Sequence, residues 1–299
     1  MLARMKRVAF LGLGRMGAAM ASRLLARGYE LTVYNRTASR AERLVDAGAE
    51  LAATPRTACA GADVVISMTA DDVSSRAMWL GDDGALAAEL VPRTPMIECS
   101  TLSHEWVLEL ARRMAERGLR YVDSPVTGLP EAAAAGQLTL LVGAESADLE
   151  AARPVLDALA NRVLHFGPVG AGTAYKLAIN LIGSVQIASA AEGLALAERA
   201  GLDPKLVVEA IATSQAASPQ VVRNTQRMVE GEFSRNIVFT PVLRLKDVDY
   251  ALRLATSLGI ATPFGDAARE AFARLIALGA SDDHEARIIE VAREPAKRE

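Results

Sequence analysis

Short runs of β-branched and apolar residues alternate with amphipathic stretches through the first half of the chain. The runs Arg7–Leu11, Leu31–Tyr34, Asp63–Met68, Pro95–Glu98, Arg120–Asp123, Leu138–Val142 and Arg162–His165 are too short and too continuously apolar for helices, and they predict buried strands. Between them, stretches such as Arg15–Arg27, Ala38–Ala47 and His104–Arg117 place apolar residues at helical spacing. Strand alternating with helix is the pattern of a doubly wound sheet. After Gly170 the strand signal stops, and the helix starts are marked by a capping residue followed by proline: Asp203-Pro204, Ser218-Pro219 and Thr262-Pro263. The expected architecture is an α/β N-terminal Rossmann-type dinucleotide-binding domain, residues 1–167, followed by an all-helical domain, residues 168–299, with the boundary near Gly167–Gly172.

A chain of 299 residues has room for two such domains. Its 51% apolar and 23% charged residues and net charge of -3 are those of an ordinary globular protein, and no basic stripe points to nucleic acid. The run Val8–Leu13 is too short for a signal segment. Polar residues Asn180, Gln186 and Glu192 interrupt Leu177–Ala197, which reads as a buried helix rather than a membrane span. Two cysteines, Cys59 and Cys99, make no disulfide framework, and three scattered histidines make no metal set. A reducing, cytoplasmic setting is expected, with no nucleic-acid or membrane partner.

Gly12-Leu13-Gly14-Arg15-Met16-Gly17 fits the dinucleotide fingerprint, and it follows a predicted strand and opens a predicted helix. Gly12 permits the tight turn, Gly14 lets backbone approach a pyrophosphate, and Gly17 lets helix pack on strand. At the end of the second strand, where an acidic residue would bind the ribose of NAD, stands Asn35-Arg36-Thr37. A guanidinium there can fork onto a 2′-phosphate, so NADP(H) is the expected cofactor and NAD(H) a weaker one. Arg15 and Met16 in the fingerprint, with Met68 and Thr69 at the end of the next strand, complete the set assigned to the dinucleotide at this end of the sheet.

Lys176 is the only fully charged side chain between Gly170 and Glu192. Its surroundings, Ala174, Leu177, Ala178, Leu181 and Ile182, make a lone lysine costly unless it has a partner or a task. Asn180 lies one turn on, on the same helix face. Such burial would lower an amine pKa from its ordinary value, about 10.4. The segment Asp123–Pro130 follows a strand, where open α/β sheets bind ligands, and Thr127 with the N–H groups of Gly128 and Leu129 could form an anion nest or a plain proline-bracketed turn.

Taken together, the Gly12–Gly17 fingerprint, the Asp123–Gly128 loop, the Gly170–Asn180 segment and Leu245-Lys246-Asp247 resemble the β-hydroxyacid dehydrogenase family, nearly end to end. The resemblance implies NAD(P)-dependent hydride transfer between nicotinamide and a small β-hydroxy acid or aldehyde-acid. It implies that Lys176 is the acid/base and that Asn180 holds substrate. Ser124, Thr127, Gly128 and Leu129 would form the carboxylate-binding loop, Lys246 would reach the cofactor side, and Thr101 would sit near the nicotinamide ribose. It also implies a homodimer or homotetramer, the long helix packing on a partner subunit. Two positions depart from the family pattern: Leu129 replaces a glycine and Leu181 an asparagine, which leads us to expect a bulkier or more apolar substrate. The related imine reductases usually lack the lysine, and a catalytically silent protein would have no reason to keep it.

Overall fold

In a computed structural model that describes residues 7–295, the strands are β1 (Arg7–Leu11), β2 (Glu30–Tyr34), β3 (Glu50–Leu51), β4 (Val64–Ser67), β5 (Pro95–Glu98), β6 (Arg120–Asp123), β7 (Val126–Thr127), β8 (Leu138–Gly143) and β9 (Ala160–Gly167). The helices of the same part are α1 (Arg15–Ala26), α2 (Glu42–Asp46), α3 (Pro55–Cys59), α4 (Asp72–Leu80), α5 (His104–Glu116), α6 (Pro130–Ala135) and α7 (Ser146–Leu159). The strands join in the order β3-β2-β1-β4-β5-β6-β8-β7, with β9 on β8. From β3 to β6 all pairings are parallel, while β8 runs antiparallel to β6 and β7. The order reverses at β1 and β4, which is the topological switch point where such sheets bind ligands.

Strands β1, β4, β5, β6 and β8 lack polar alternation because both faces are covered, whereas β9, expected from Arg162–His165 to be buried, lies next to β8 with most of its residues half-buried or exposed. Val8 and Phe10 of β1 pack with Val33, Ile66, Ile97 and α1's Met20 and Leu24 on one face, together with α7. Ala9 and Leu11 pack on the other with Val65, Met96, Trp79 of α4 and Trp106 and Leu110 of α5. The two-residue strands β3 and β7 are absent from the sequence expectation, since two residues cannot show a period. The expected helix Ala38–Ala47 is a 3₁₀ turn, Ala38–Ala41, followed by α2.

The long helix α8 (Ala171–Arg199) is followed by α9 (Pro204–Thr213), α10 (Pro219–Glu230), α11 (Pro241–Ser257), α12 (Pro263–Ala277) and α13 (Ile289–Arg293). The chain divides into two compact units, Met1–Lys176 and Leu177–Glu299. Each proline-headed helix begins at its proline, because a helix's first residue needs no N–H partner. Asp203 and Ser218 cap their helices through their side chains, whereas Thr262 makes no cap bond. In the second unit, Ile187, Ala191 and Leu194 of α8 pack against Met228, Phe272, Leu275 and Ile288.

Read from its sequence as a buried helix, α8 is only partly buried. Only 33% of its most apolar stretch is buried, and Tyr175, Ile182 and Leu196 are exposed at 40%, 58% and 72%. By length and composition α8 could cross a bilayer, a test that core helices also pass. Its polar interruptions fall on both sides of the helix, so sequence periodicity does not separate the packed side from the open one.

Candidate functional site

The fingerprint glycines occupy three different environments. Gly12 adopts φ +97°, and a Cβ there would lie 2.3 Å from the Met68 carbonyl oxygen. Gly17 is buried, and its Cβ would meet the Gly12 carbonyl oxygen at 2.0 Å, so these two glycines hold α1 against the sheet. Gly14 faces open space, with no atom within 4 Å of a Cβ position. It is the N-cap of α1, offers no side-chain cap, and no acidic residue stands in the first turn. The N–H groups and partial positive charge at this helix start are left for an anion. Arg15 is exposed beside them, and Met16 packs onto the core below.

Asn35 fastens the end of β2 to this loop: its Oδ1 accepts from the Leu13 N–H at 2.9 Å and its amide donates to the Thr37 carbonyl at 2.9 Å. Arg36 and Thr37 are exposed. A cavity of about 330 Å³ opens here, lined by Tyr34, Asn35, Arg36, Ala38, Leu51 and Ala53. An uncapped helix start, a glycine with open space and a basic side chain beside a cavity are a donor set that fits a dinucleotide phosphate chain and its adenosine end.

Met68 and Thr69, both half-buried, leave the end of β4. The Thr69 N–H donates to Ser100 Oγ at 2.6 Å, and Ser100 donates in turn to Glu98 Oε1 at 2.5 Å. Glu98 also accepts from Ser75 Oγ and Trp79 Nε1. The carboxyl is fully buried, and desolvation raises its pKa against these donors. It ties the loops after β4 and β5 together, and half-buried Thr101 follows immediately.

At the end of β6 the Asp123 carboxylate, fully buried, accepts from the Thr173 N–H at 2.8 Å and the Thr173 hydroxyl at 2.6 Å. Burial pushes its pKa up to about 7; the Thr173 and Gly170 donors oppose that rise, and the Glu98 charge adds to it. Beyond it, Ser124 is buried and its hydroxyl has no hydrogen-bond partner among the described residues. Thr127 is half-buried and pairs with Thr139, Gly128 turns the chain at φ +136°, and Leu129 is 38% exposed. The accessible part of this loop is therefore Thr127, Gly128 and Leu129, not Ser124.

Lys176, half-buried, and Asn180 stand one turn apart along α8. Asn180 Nδ2 donates to Asp247 Oδ2 at 2.6 Å, and Lys246 Nζ lies 3.0 Å from Asp247 Oδ1. An ionised carboxylate only accepts, so Asp247 turns the amide nitrogen of Asn180 toward itself and leaves the amide oxygen for another partner. Leu181, partly buried, packs against a core cluster of Leu177, Tyr250 and Ala251, as does Leu254.

From sequence, no role falls to Glu98, Asp123 or Asp247, although Asp123 and Asp247 stand inside the motifs that carry the resemblance; here each ties together segments distant in sequence. Their signal was present: Glu98 and Asp123 are each the single acid closing an apolar parallel strand, a costly place for a charge.

A family model described as the NAD binding domain of 6-phosphogluconate dehydrogenase matches residues 7–167, and one described as the NAD-binding domain of NADP-dependent 3-hydroxyisobutyrate dehydrogenase matches residues 170–292. An NAD-dependent L-serine dehydrogenase of Pseudomonas aeruginosa is 36% identical over 284 residues, 92% of this chain and 94% of its own. A 3-hydroxyisobutyrate dehydrogenase of the same organism is 34% identical, over 89% of this chain and 90% of its own. The crystal structure of a 3-hydroxyisobutyrate dehydrogenase from Salmonella typhimurium superposes with a TM-score of 0.87 at 25% identity, covering 96% of this chain and 99% of that one. On the fold, the fingerprint loop and this full-length similarity, the chain belongs to the β-hydroxyacid dehydrogenase family, oxidoreductases that use NADP(H) or NAD(H) to act on hydroxy acids.

Proposed function

We propose that the enzyme prefers NADP(H) and interconverts a small β-hydroxy acid and the matching aldehyde-acid, with Lys176 as acid/base. Residues 1–167 would carry the dinucleotide, and residues 168–299 the substrate and subunit contacts of a homodimer or homotetramer. The observation that carries this reading is the pairing on α8 of Lys176 with Asn180, whose amide Asp247 fixes at 2.6 Å. When bound, the nicotinamide supplies or takes the hydride. Lys176 as an ammonium donates a proton to the substrate oxygen during reduction, and as a neutral amine takes the hydroxyl proton during oxidation. Asn180 orients that oxygen, and Thr127 with the loop N–H groups of Gly128 and Leu129 binds the carboxylate. Gly12, Gly14 and Gly17 admit the pyrophosphate to the start of α1, Arg36 with Asn35 and Thr37 takes the 2′-phosphate, and Met68, Thr69, Thr101 and Lys246 line the dinucleotide's remaining length.

The test is NADPH oxidation with a panel of aldehyde-acids, and NADP⁺ reduction with serine and other β-hydroxy acids, in wild type and Lys176→Ala. The variant should lose about a hundred-fold or more in kcat while dinucleotide affinity stays at the wild-type value. Wild-type turnover by Lys176→Ala would remove the lysine from the chemistry.

A further inference from the structure

The first turn of α8 is attached to the sheet at two places. At β8, Gly172 packs so closely that a Cβ would lie 2.1 Å from the Leu141 carbonyl oxygen and 2.8 Å from the Gly143 nitrogen. At β6, Asp123 takes the Thr173 N–H and hydroxyl and the Gly170 N–H. The glycine contact sets how near the helix may come, but it leaves rotation about the helix axis free. The Asp123 bonds are directional, and Thr173 lies one turn before Lys176 on the same helix face. A rotation of that turn would carry the lysine amine with it.

We propose that Asp123 is a positioning residue for the hydride-transfer reaction: through Thr173 it sets the rotation of the first turn of α8 and so the placement of the Lys176 amine. The inference rests on Lys176 being the acid/base. Asp123 also begins the Asp123–Pro130 loop, so one buried carboxylate joins the start of the substrate loop to the catalytic turn. The titratable groups facing it include Glu98 at the end of β5, Cys99 just after it and Tyr121 from its own strand, each coupled to it electrostatically. From α8 the Thr173 hydroxyl and N–H donate to it, and the Gly170 N–H donates from just ahead of the helix. Burial pushes its pKa up to about 7, and ionisation strengthens its bonds to Thr173 and to the Gly170 N–H just ahead of α8, so the placement of the lysine follows pH.

The experiment compares Thr173→Val, Thr173→Ser and Asp123→Asn with wild type and Lys176→Ala. Thr173→Val keeps the shape and removes one bond. It should lower kcat by about five- to twenty-fold and leave KM and the NADPH Kd within about twofold, and Thr173→Ser should restore kcat to within about threefold. The wild-type profile of kcat against pH should carry an inflection near 7 that Asp123→Asn lacks. In Thr173→Val that inflection moves up, because a donor favouring the charged form is gone. Independently of activity, backbone amides over residues 171–176 should exchange hydrogen faster in Thr173→Val and in Asp123→Asn. A folded Thr173→Val with wild-type kcat and an unmoved inflection overturns the proposal, as does a parallel loss of kcat, KM and NADPH affinity that serine does not rescue. Lys176→Ala separates the two readings. Wild-type turnover there removes the acid/base assignment itself, whereas its loss beside an unaltered Thr173→Val removes only the positioning role.

Discussion

Asn35 Oδ1 holds the Leu13 N–H at 2.9 Å, so the side chain that ends β2 also fixes the loop between Gly12 and Gly14. Asn35 and its neighbour Arg36 therefore make different demands on the cofactor. A net hydrogen bond of about 0.5–1.5 kcal/mol organises the loop for either dinucleotide, and Asn35→Ala should weaken NADPH and NADH alike by about two- to twelve-fold. Arg36 is exposed, and on the proposed reading its guanidinium would meet the 2′-phosphate that only NADPH carries. Arg36→Ala should weaken NADPH by about ten- to a hundred-fold and leave NADH unchanged, as read by fluorescence titration. Equal losses for both cofactors in Arg36→Ala would show that the guanidinium does not select.

Gly14 and Gly17 look equivalent in the fingerprint but differ in what surrounds them. A methyl at Gly14 meets nothing within 4 Å, and its φ of -67° suits alanine. Gly14→Ala should leave thermal stability within about 1 kcal/mol of wild type yet lose dinucleotide binding, because on the proposed reading the methyl would occupy the space that the phosphates need. Gly17→Ala drives a methyl into the Gly12 carbonyl and should cost about 1–3 kcal/mol or more in stability. If Gly14→Ala bound NADPH normally, the open space there would have another purpose.

The strand–turn–helix that opens the Rossmann-type fold was legible because its signals are local: an apolar strand, a glycine spacing and a helical stretch follow one another between Arg7 and Ala26. The central strands β1, β4 and β5 were legible because burial on both faces makes them nearly continuously apolar. What escaped depends on contacts far apart in sequence. Asp123 meets Thr173 across 50 positions, and Asn180 meets Asp247 across 67. Leu181 shows the same limit from the other side. It occupies a family asparagine position, which suggested a pocket, but its neighbours are Leu177 and Tyr250, and its Cδ1 lies only 3.0 Å from where a Cβ on Gly265 would stand.

Leu181 should accordingly govern stability rather than substrate choice. Leu181→Ala should lower unfolding free energy by about 1–3 kcal/mol, less than a fully buried leucine, while kcat/KM along a chain-length series from glyoxylate upward keeps its rank order. Leu129, exposed at the accessible end of the loop proposed to bind substrate, is the position where exchange for glycine should move that order, by about 1–3 kcal/mol per methylene at most. An altered series in Leu181→Ala, with unchanged stability, would return Leu181 to the pocket.

His284 gives the helical unit an acid sensitivity unrelated to catalysis. It is buried, and its Nδ1 accepts the Ala286 N–H at 3.1 Å, capping the 3₁₀ turn Glu285–Ile288. That bond requires an unprotonated Nδ1. Burial lowers the pKa from its usual 6.5; the Glu285 charge opposes this, and Arg227 and Arg223 assist it. Because the folded pKa is depressed, the unfolded chain binds the proton first as pH falls. The stability that neutral His284 contributes is complete above about 6.5, the unfolded value, and drains away as pH drops through the lower folded one. Asparagine can present its side-chain oxygen to the same N–H without titrating. His284→Asn should therefore have a Tm near wild type at pH 8 and lose less of it between pH 7 and pH 5, measured by calorimetry at constant ionic strength. His104, also depressed by burial, remains in the variant, so part of the acid loss should persist. Identical slopes of Tm against pH in the two proteins would show that His284 is not the group that charges.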